Sequence, residues 1–244
     1  MPEKIVYDSI DICPYLPDQL QRTPLRHQSR SLTPRECDAS LAQGDRRSGT
    51  MLYRTECPTC KACEPLRVPV QDFQPSKSQR RILRKNEDVK VTLGSAEFSP
   101  EKLQLYNQHK SGRELSRSGS NMSKFGYENW FLHSCLNTKE FLYYVDDRLV
   151  GVSIADFGDR DISSVYFYFD PTLETRSLGT FSALFEMNWM KEQGMRYYYL
   201  GLYVADCSHL NYKSRYYPHH RLVRGTWVEF LNSNESRILV DSRG

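Results

Sequence analysis

Three of the seven cysteines form one close repeat, and they are Cys57, Cys60 and Cys63. Thiolates at C-x-x-C-x-x-C spacing can turn inward on one metal ion, and a closed tetrahedral site needs a fourth ligand. We expect Cys13 in that role because its proline-bounded turn resembles a ligand knuckle; Cys37 and His27 are alternatives. Four thiolates suit zinc, and the spacing also resembles the start of an iron–sulfur run. Reduced thiols packed beneath a loop would give the same pattern without a metal.

Cations dominate the segment after Phe73. Five of them fall within nine residues, and they are Lys77, Arg80, Arg81, Arg84 and Lys85. The segment is typical of a helix capped by Ser76 or Ser78. A solvated basic face would explain the run, but the nearby aromatic ring favours contact with a phosphate backbone or an acidic substrate.

Residues 163–204 predict a strand, a turn, a helix and a second strand. Residues 163–169 are β-branched and aromatic, and Asp170 with Pro171 ends them as a strand. Apolar residues at helical spacing follow residues 176–180, and residues 197–204 form the second strand. The free N–H groups at the start of such a helix can face an anion or a polarised carbonyl. A plain core unit without a site is the alternative.

The 244 residues are 39% hydrophobic and 26% charged, which is ordinary for a globular protein of one large or two small domains. A net charge of +3 is too small to indicate nucleic acid binding by itself. No run approaches the roughly 18 apolar residues of a membrane span, and the start of the chain lacks an apolar signal segment. We therefore expect a cytoplasmic protein with reduced cysteines and no membrane partner.

The rest of the chain predicts the elements that position these groups. Residues 1–50 are expected to be irregular, apart from a helix at 34–43 capped by Thr33. Further strands are expected at 66–70 (an edge strand), 89–93, 140–145, 149–157 and 224–230. Further helices are expected at 100–112, 127–136 and 208–217. Residues 112–126 are expected to form a mobile loop over a site, and the tail from residue 232 is expected to fray.

This order of elements resembles the N-acetyltransferase-like fold. The fold class is therefore expected to be α+β, with a mixed sheet flanked by helices and a small cysteine-containing N-terminal domain. The domains would span residues 1–86 and 87–244. In that superfamily an R/Q-x-x-G-x-G/A turn holds the pyrophosphate of the acyl donor. Here a bulky Phe181 follows Arg176 and Gly179, which argues against coenzyme A.

Longer motifs resemble the aminoacyl-tRNA–protein transferase family over residues 11–230. In the N-terminal half they are C-P-Y-L-P at 13–17, C-P-x-C-x-A-C-x-P-L-R at 57–67 and F-x-P-S-K-S-Q-R-R at 73–81. In the C-terminal half they are S-V-Y-F-x-x-D-P at 164–171, S-L-G-T at 177–180, Y-Y-Y-L-G at 197–201 and Y-K-x-R-Y-x-P at 212–218. The compact length and the cysteine spacing resemble the bacterial, leucine-transferring branch.

The resemblance implies that Leu moves from Leu-tRNA to an N-terminal Asp or Glu of a protein, which marks that protein for degradation. The partners are therefore an aminoacyl-tRNA donor and a protein acceptor, and no cofactor is needed for the chemistry. The five cations of residues 77–85 would contact the tRNA. An arginyl-tRNA donor remains an alternative.

The chemistry of aminoacyl transfer asks for positioning more than for a strong base. A free α-amine has a pKa of about 7.7–8.0, so losing its proton near pH 7 costs only about 1 kcal/mol. Good alignment can supply up to roughly 7–11 kcal/mol. Asp170 is our candidate for holding the amine or taking its proton, with capping of the Pro171 turn as its alternative role. Backbone N–H groups of Leu178, Gly179 and Thr180 could face the oxyanion or the tRNA 3′ end.

Substrate binding needs a cation for the acceptor's carboxylate and a pocket for the amino acid. The cation candidates are Arg80, Lys213 and Arg215. The pocket candidates are Ser177, Tyr166, Tyr168, Tyr199 and Tyr203, and we expect two of the four tyrosines to be sheet core.

Two other classes of function remain open. A coenzyme A-dependent acetyltransferase would share the fold, although the bulky turn residue disfavours it. A non-catalytic, metal-containing RNA-binding module would use the basic segments at residues 22–47 and 77–85. It would leave the strand–helix–strand unit at residues 164–204 without a role.

Overall fold

The computed structural model describes residues 3–113 and 120–239. Its N-terminal part contains short strands around one helix. These elements are β1 Glu3–Tyr7, β2 Ile10–Ile12, β3 Leu20–Arg22, β4 Leu25–Gln28, α1 Pro34–Ala42, β5 Arg46–Ser48 and β6 Met51–Tyr53. Four of the strands form a sheet in the order β1-β4-β6-β5, and β2 pairs with β3. The prediction that residues 1–50 are irregular was wrong. The strands left no signal in the sequence because they are short and mostly exposed, and so lack an alternating apolar pattern.

A larger set of elements follows. The first of them are β7 Glu64–Pro69, α2 Lys77–Lys85, β8 Lys90–Ser95, α3 Pro100–Gly112, α4 Lys124–Tyr127, a π-helical turn Glu128–Leu132, β9 Asn137–Val145, β10 Arg148–Phe157 and β11 Asp161–Phe169. The rest are a 3-10 turn Pro171–Arg176, α5 Leu178–Glu192, β12 Tyr197–Tyr203, α6 Ser208–Asn211, a 3-10 turn Tyr212–Arg215, β13 His219–Val223, β14 Thr226–Phe230 and β15 Ser236–Ile238.

One nine-stranded sheet joins the strands of this set in the order β15-β14-β13-β7-β12-β11-β10-β9-β8. Its β11–β12 pair is parallel, whereas the flanking pairs are antiparallel, so the sheet is mixed. The predicted meander is confirmed as β9, β10 and β11. On one face α2 and α5 cover a core that contains Leu184 and Met187. On the other face α3 and the π-helical turn cover a second core that contains Tyr106 and Phe131.

The predicted helix starts are confirmed by their caps. The side chains of Thr33 and Ser76 each form a capping box with the third helical residue, and Ser99 accepts a bond from the backbone of Lys102. These signals lie within four residues of each other in the chain, so they are legible without the fold. None of the helices in the described ranges is long and apolar enough to cross a membrane.

Several predicted elements needed correction. The strand predicted as an edge at residues 66–70 is β7, which lies between β12 and β13 near the centre of the sheet. Its prolines stand near the two ends of the strand, where a missing N–H costs little, while Leu66 and Val68 are fully buried. The strand also joins residues before position 86 to the large sheet; the domain boundary at 86 stays a prediction.

Other helices and strands differ from the prediction in where they end or in being present at all. The helix predicted at 127–136 ends at Leu132, and the one at 208–217 is a short helix followed by a 3-10 turn. β13 was missed, and the tail is not wholly frayed because β15 pairs with β14. The predicted mobile loop at 112–126 falls partly outside the described residues.

The parallel pair at the centre of the sheet separates along its length. β11 and β12 pair only from Asp161 with Tyr197 to Ser163 with Tyr199. Beyond that point residues 164–167 of β11 are only half-buried, although the strand is central. We call the space between residues 164–167 and residues 200–203 the strand gap. An interior opening of this kind can admit a ligand to the middle of a sheet.

Candidate active site

Lys213 is a buried cation at the strand gap. It stands in the 3-10 turn after β12, and its Nζ donates to the carbonyl of Leu202 at 2.7 Å. Burial and, after it, the Arg46 charge lower its pKa from 10.5 to about 7, and Cys207 opposes the shift. The amine can therefore change charge near neutral pH, which exposed lysines do not.

Arg46 reaches the same gap from the N-terminal sheet. It begins β5, and its Nη2 donates to the carbonyl of Ser164 at 3.3 Å. Its Nη1 is buried and has no hydrogen-bond partner. No carboxylate of the described residues pairs with it, whereas the adjacent Arg47 pairs with Asp156. Arg46 is thus a cation with unused bonding capacity in a polar gap.

Gly201 makes the approach of Arg46 possible. Its φ of +92° is in the left-handed region, and a Cβ there would overlap the Arg46 guanidinium. Glycine meets both requirements at once, because it tolerates positive φ and leaves room for a close neighbour. The glycine of the Y-Y-Y-L-G motif therefore opens the gap to a side chain from the other sheet.

The four candidate tyrosines divide into two kinds. Tyr168 is fully buried and bonds Tyr127 between hydroxyl groups at 2.6 Å, and Tyr199 is buried with its hydroxyl accepting from Arg67 at 3.1 Å. Tyr166 and Tyr203 are half-buried. Burial raises the pKa of Tyr166 to about 12, so its hydroxyl stays protonated and can donate a hydrogen bond. Tyr166 and Tyr203 thus remain candidates for substrate contact.

A cavity of about 220 Å³ adjoins the gap. Its lining includes Tyr15, Leu25, Tyr53, Trp130 and Leu202. Leu202 also supplies the carbonyl that binds Lys213, so the cavity begins at the gap. Burial raises the pKa of Tyr15 to about 12, and the Arg46 charge acts on the same pKa in the opposite direction. An aromatic, partly apolar cavity of this size suits an amino acid side chain or a short peptide end.

The four cysteines predicted as metal ligands line a further cavity of about 150 Å³, and Cys13, Cys57 and Cys63 also line the cavity beside the gap. All seven cysteines are free thiols. Burial, then Cys57, Cys13 and Cys60, raise the pKa of Cys63 to about 12, which means that these sulfurs lie near one another. Over the part of the chain that the structure describes, no three His, Cys, Asp or Glu side chains are arranged to hold a metal. The alternative ligand Cys37 packs elsewhere, against Leu41 and Tyr199.

Asp170 is held by local bonds at the end of β11. One carboxylate oxygen accepts from the backbone and the hydroxyl of Thr172, and the other pairs with Arg148 at 2.6 Å. These partners lower its pKa against the opposing effect of burial, which is the largest single influence. The contacts are those of its alternative role as a turn cap; its role toward the acceptor's amine stays a prediction.

The start of α5 carries the predicted N–H groups. Ser177 has a left-handed backbone with φ of +55° and makes no side-chain cap. Leu178 is fully buried, whereas Gly179 is exposed with no atom near the position of a Cβ. Thr180 is half-buried. This start of α5 is therefore open on the Gly179 side to a group that accepts hydrogen bonds.

The basic helix α2 presents its cations to solvent. All five are exposed, while Ile82 and Leu83 pack against the core. Lys85 donates to the carbonyl of Thr175 at 2.6 Å, which fixes α2 beside the turn before α5. Arg215 is exposed as well, and its carbonyl accepts from Gln79 at 3.3 Å. Of the three cation candidates for the acceptor, only Lys213 is buried in the gap.

Arg46 was not among the site residues predicted from the sequence. It appeared there only as one member of a long basic stretch, since nothing local to residues 46–48 predicts contact with a strand 118 positions later. The signal that could have found it is the glycine at position 201, because a strand glycine often marks the close approach of another group.

Comparisons with known proteins agree with these motifs. A family model described as arginine-tRNA-protein transferase, N terminus, matches residues 11–81, and one described as its C terminus matches residues 101–223. An aspartate/glutamate leucyltransferase of Aeromonas hydrophila is 36% identical over 216 residues, covering 88% of this chain and 90% of the relative. The enzyme of that name from Agrobacterium fabrum is 34% identical over 234 residues, covering 91% and 93%.

A solved structure has a similar fold. A C-terminal DUF2156 domain from Agrobacterium fabrum aligns with a TM-score of 0.50 at 12% identity. The alignment covers 64% of this chain and 56% of that one. At this identity the likeness concerns the fold alone.

Proposed function

This chain belongs to the arginine-tRNA–protein transferase family, and from that premise we propose that it transfers leucine from Leu-tRNA to the α-amine of proteins that begin with Asp or Glu. The leucine donor follows the relatives named aspartate/glutamate leucyltransferase. The product would carry a new N-terminal leucine that marks it for degradation. A cytoplasmic location and the N-acetyltransferase-like class of the fold are parts of this proposal.

The observation that supports it most is the strand gap with its buried Lys213. Lys213 pairs with no carboxylate within the described ranges, and a carboxylate is the natural partner for such a buried cation. The acceptor's Asp or Glu side chain would supply that partner on binding. The adjoining cavity, lined by Tyr15 and Trp130 among others, would hold the first residues of the acceptor or the leucyl side chain of the donor.

The reaction itself forms one bond and breaks one. The neutral amine nitrogen attacks the ester carbonyl carbon, a C–N bond forms, and the C–O bond to the tRNA ribose breaks. The amine loses a proton and the ribose oxygen gains one, so charge and protons balance. The open N–H groups near Gly179 would stabilise the oxyanion, and the role of the gap would be to hold the amine in line.

The basic helix α2 would bind the tRNA acceptor arm. Replacing Arg81 and Arg84 together with glutamine should raise KM for Leu-tRNA about tenfold and lower the salt dependence of binding by about two counterions, while kcat stays close to wild type. Arg35→Gln with Lys90→Gln, which removes two exposed cations elsewhere, is the matched control. An unchanged KM in the α2 variant would exclude this helix from tRNA binding.

The cysteines would hold a structural metal. Four thiols on one cavity form a donor set for zinc or an iron–sulfur cluster. We expect the Cys60→Ser protein to lose the metal found by elemental analysis of the wild type, and to melt at a lower temperature. Cys37→Ala should retain the metal. Metal-free wild-type protein of full stability would contradict this assignment.

The donor and the function class are tested by one assay. Purified protein is mixed with Leu-tRNA or Arg-tRNA and with peptides that begin with Asp, Glu or Ala, and the peptide mass is read. We expect addition of leucine to the Asp and Glu peptides. Addition of arginine would identify the alternative donor, and a lack of transfer from either tRNA would favour an RNA-binding module.

A further inference from the structure

Arg46 is a cation with no role in the reaction steps proposed above. Other arginines in or next to its sheet have acidic partners: Arg26 and Arg54 bond Asp45, and Arg47 bonds Asp156. Arg46 instead donates only to the backbone carbonyl of Ser164, and its Nη1 is buried without a partner. An unpaired, buried donor of this kind costs stability unless a group from outside completes it.

The fold makes specific room for this side chain. Gly201 stands where a Cβ would overlap the guanidinium, and its backbone φ is +92°. Arg46 therefore enters the gap between β11 and β12 through a space that only glycine leaves open. The adjoining residue Leu202 lines the cavity and binds Lys213 through its carbonyl.

The two cations lie beside neighbouring residues of β12, because the Arg46 guanidinium lies against Gly201 and Lys213 Nζ bonds the carbonyl of Leu202. The Arg46 charge acts on Lys213 strongly enough to be the main effect on it after burial. Like charges held together repel, and a carboxylate between them relieves both the repulsion and the open donor on Nη1. The surroundings supply backbone carbonyls and aromatic rings but, among residues 3–113 and 120–239, no carboxylate bonded to either cation.

We propose that Arg46 and Lys213 together bind the side-chain carboxylate of the acceptor's first residue, and that Arg46 is the residue that selects an acid over its amide. This inference rests on the proposed function. The guanidinium offers two donors in a planar fork, which match the two oxygens of a carboxylate. An amide would present its NH₂ group to Arg46 or Lys213, whose side chains can only donate, so Asn and Gln would leave bonds to these cations unmade.

The test compares Asp with Asn, and Glu with Gln, as the first residue of otherwise identical peptides, with Leu-tRNA as donor. In Arg46→Met, kcat/KM for the Asp peptide should fall about 30- to 100-fold, mostly through a higher KM. A fall of this size corresponds to the loss of one hydrogen bond to a charged group. In the same variant, kcat/KM for the Asn peptide should change less than about threefold. The ratio of kcat/KM for the Asp peptide to that for the Asn peptide should therefore be largely lost, while KM for Leu-tRNA stays the same.

A second variant keeps the charge and removes the fork. Arg46→Lys should retain the fold and lower the Asp over Asn preference about tenfold, because an ammonium donates to one oxygen at a time. Arg35→Gln, which alters an exposed arginine outside both the gap and α2, is the control and should keep the wild-type preference.

The outcomes separate this inference from the function on which it rests. A wild-type protein that transfers no leucine contradicts the proposed function itself. A wild-type protein that prefers Asp, together with Arg46 variants that keep that preference within about twofold, contradicts only the role of Arg46. If Arg46→Met does not fold, the Arg46→Lys preference alone decides.

Discussion

Replacing Lys213 with methionine should lower kcat/KM for peptides that begin with Asp or Glu about 100-fold, since hydrogen bonds to charged groups contribute about 1.5–3 kcal/mol each. Methionine keeps most of the buried side-chain volume and removes the ammonium, so the fold should survive. The loss should be small for a peptide that begins with Ala, which has no carboxylate to bind. Arg215→Met, which removes an exposed cation two residues away, is the matched control.

The same lysine should shape the pH profile. The pKa of Lys213 is lowered to about 7, so the side chain is an ammonium below that pH and loses its charge above it. The charged or titratable groups that act on this pKa are Arg46 and Cys207. The acceptor's amine needs the opposite change, since it becomes neutral above about 7.7–8.0. We expect kcat/KM to rise and then fall across neutral pH. Lys213→Arg should remove the alkaline limb, because a guanidinium keeps its charge. An alkaline limb that persists in Lys213→Arg would contradict this account.

The second large effect concerns stability. Arg47→Met should lower the free energy of unfolding by about 3–5 kcal/mol, because it strands the buried carboxylate of Asp156. Both side chains are only 1% exposed, and they meet at 2.8 Å between Arg47 Nε and Asp156 Oδ2. Arg47 also donates to the carbonyls of Gly49 and Trp130, so it ties β5 to the π-helical turn and to β10.

A double-mutant cycle tests this expectation in urea unfolding. Adding Asp156→Leu to Arg47→Met should recover part of the loss, because the pair is then replaced by apolar groups. The exposed pair of Arg35 and Asp159, at 3.7 Å, is the control, and its Arg35→Met variant should change the free energy by less than about 1 kcal/mol. A loss in Arg47→Met as small as in Arg35→Met would show that the buried pair does not hold the two sheets together.

Local signals account for what the sequence predicts well. The caps at Thr33 and Ser76 lie within one turn of the helices that they start, and the meander of β9, β10 and β11 follows from period-two alternation. The basic face of α2 and the close spacing of Cys57, Cys60 and Cys63 are likewise visible in short motifs. These features depend on residues that are neighbours in the chain.

Long-range pairing accounts for what the sequence could not predict. The central position of β7 depends on partners in β12 and β13 more than a hundred residues later, and prolines near its ends resemble an edge strand. The role proposed for Arg46 depends on a gap that exists only because β11 and β12 stop pairing after Ser163. Neither relationship leaves a pattern within one segment.

The central claim is that the strand gap recognises a carboxylate at the first residue of the acceptor. The most direct measurement is the initial rate of leucine transfer by the wild-type protein to four peptides that differ only in beginning with Asp, Asn, Glu or Gln. We expect kcat/KM for each acid to be at least about 100-fold above that for its amide. Equal rates for each acid and its amide would contradict it, since the gap would then not distinguish charge.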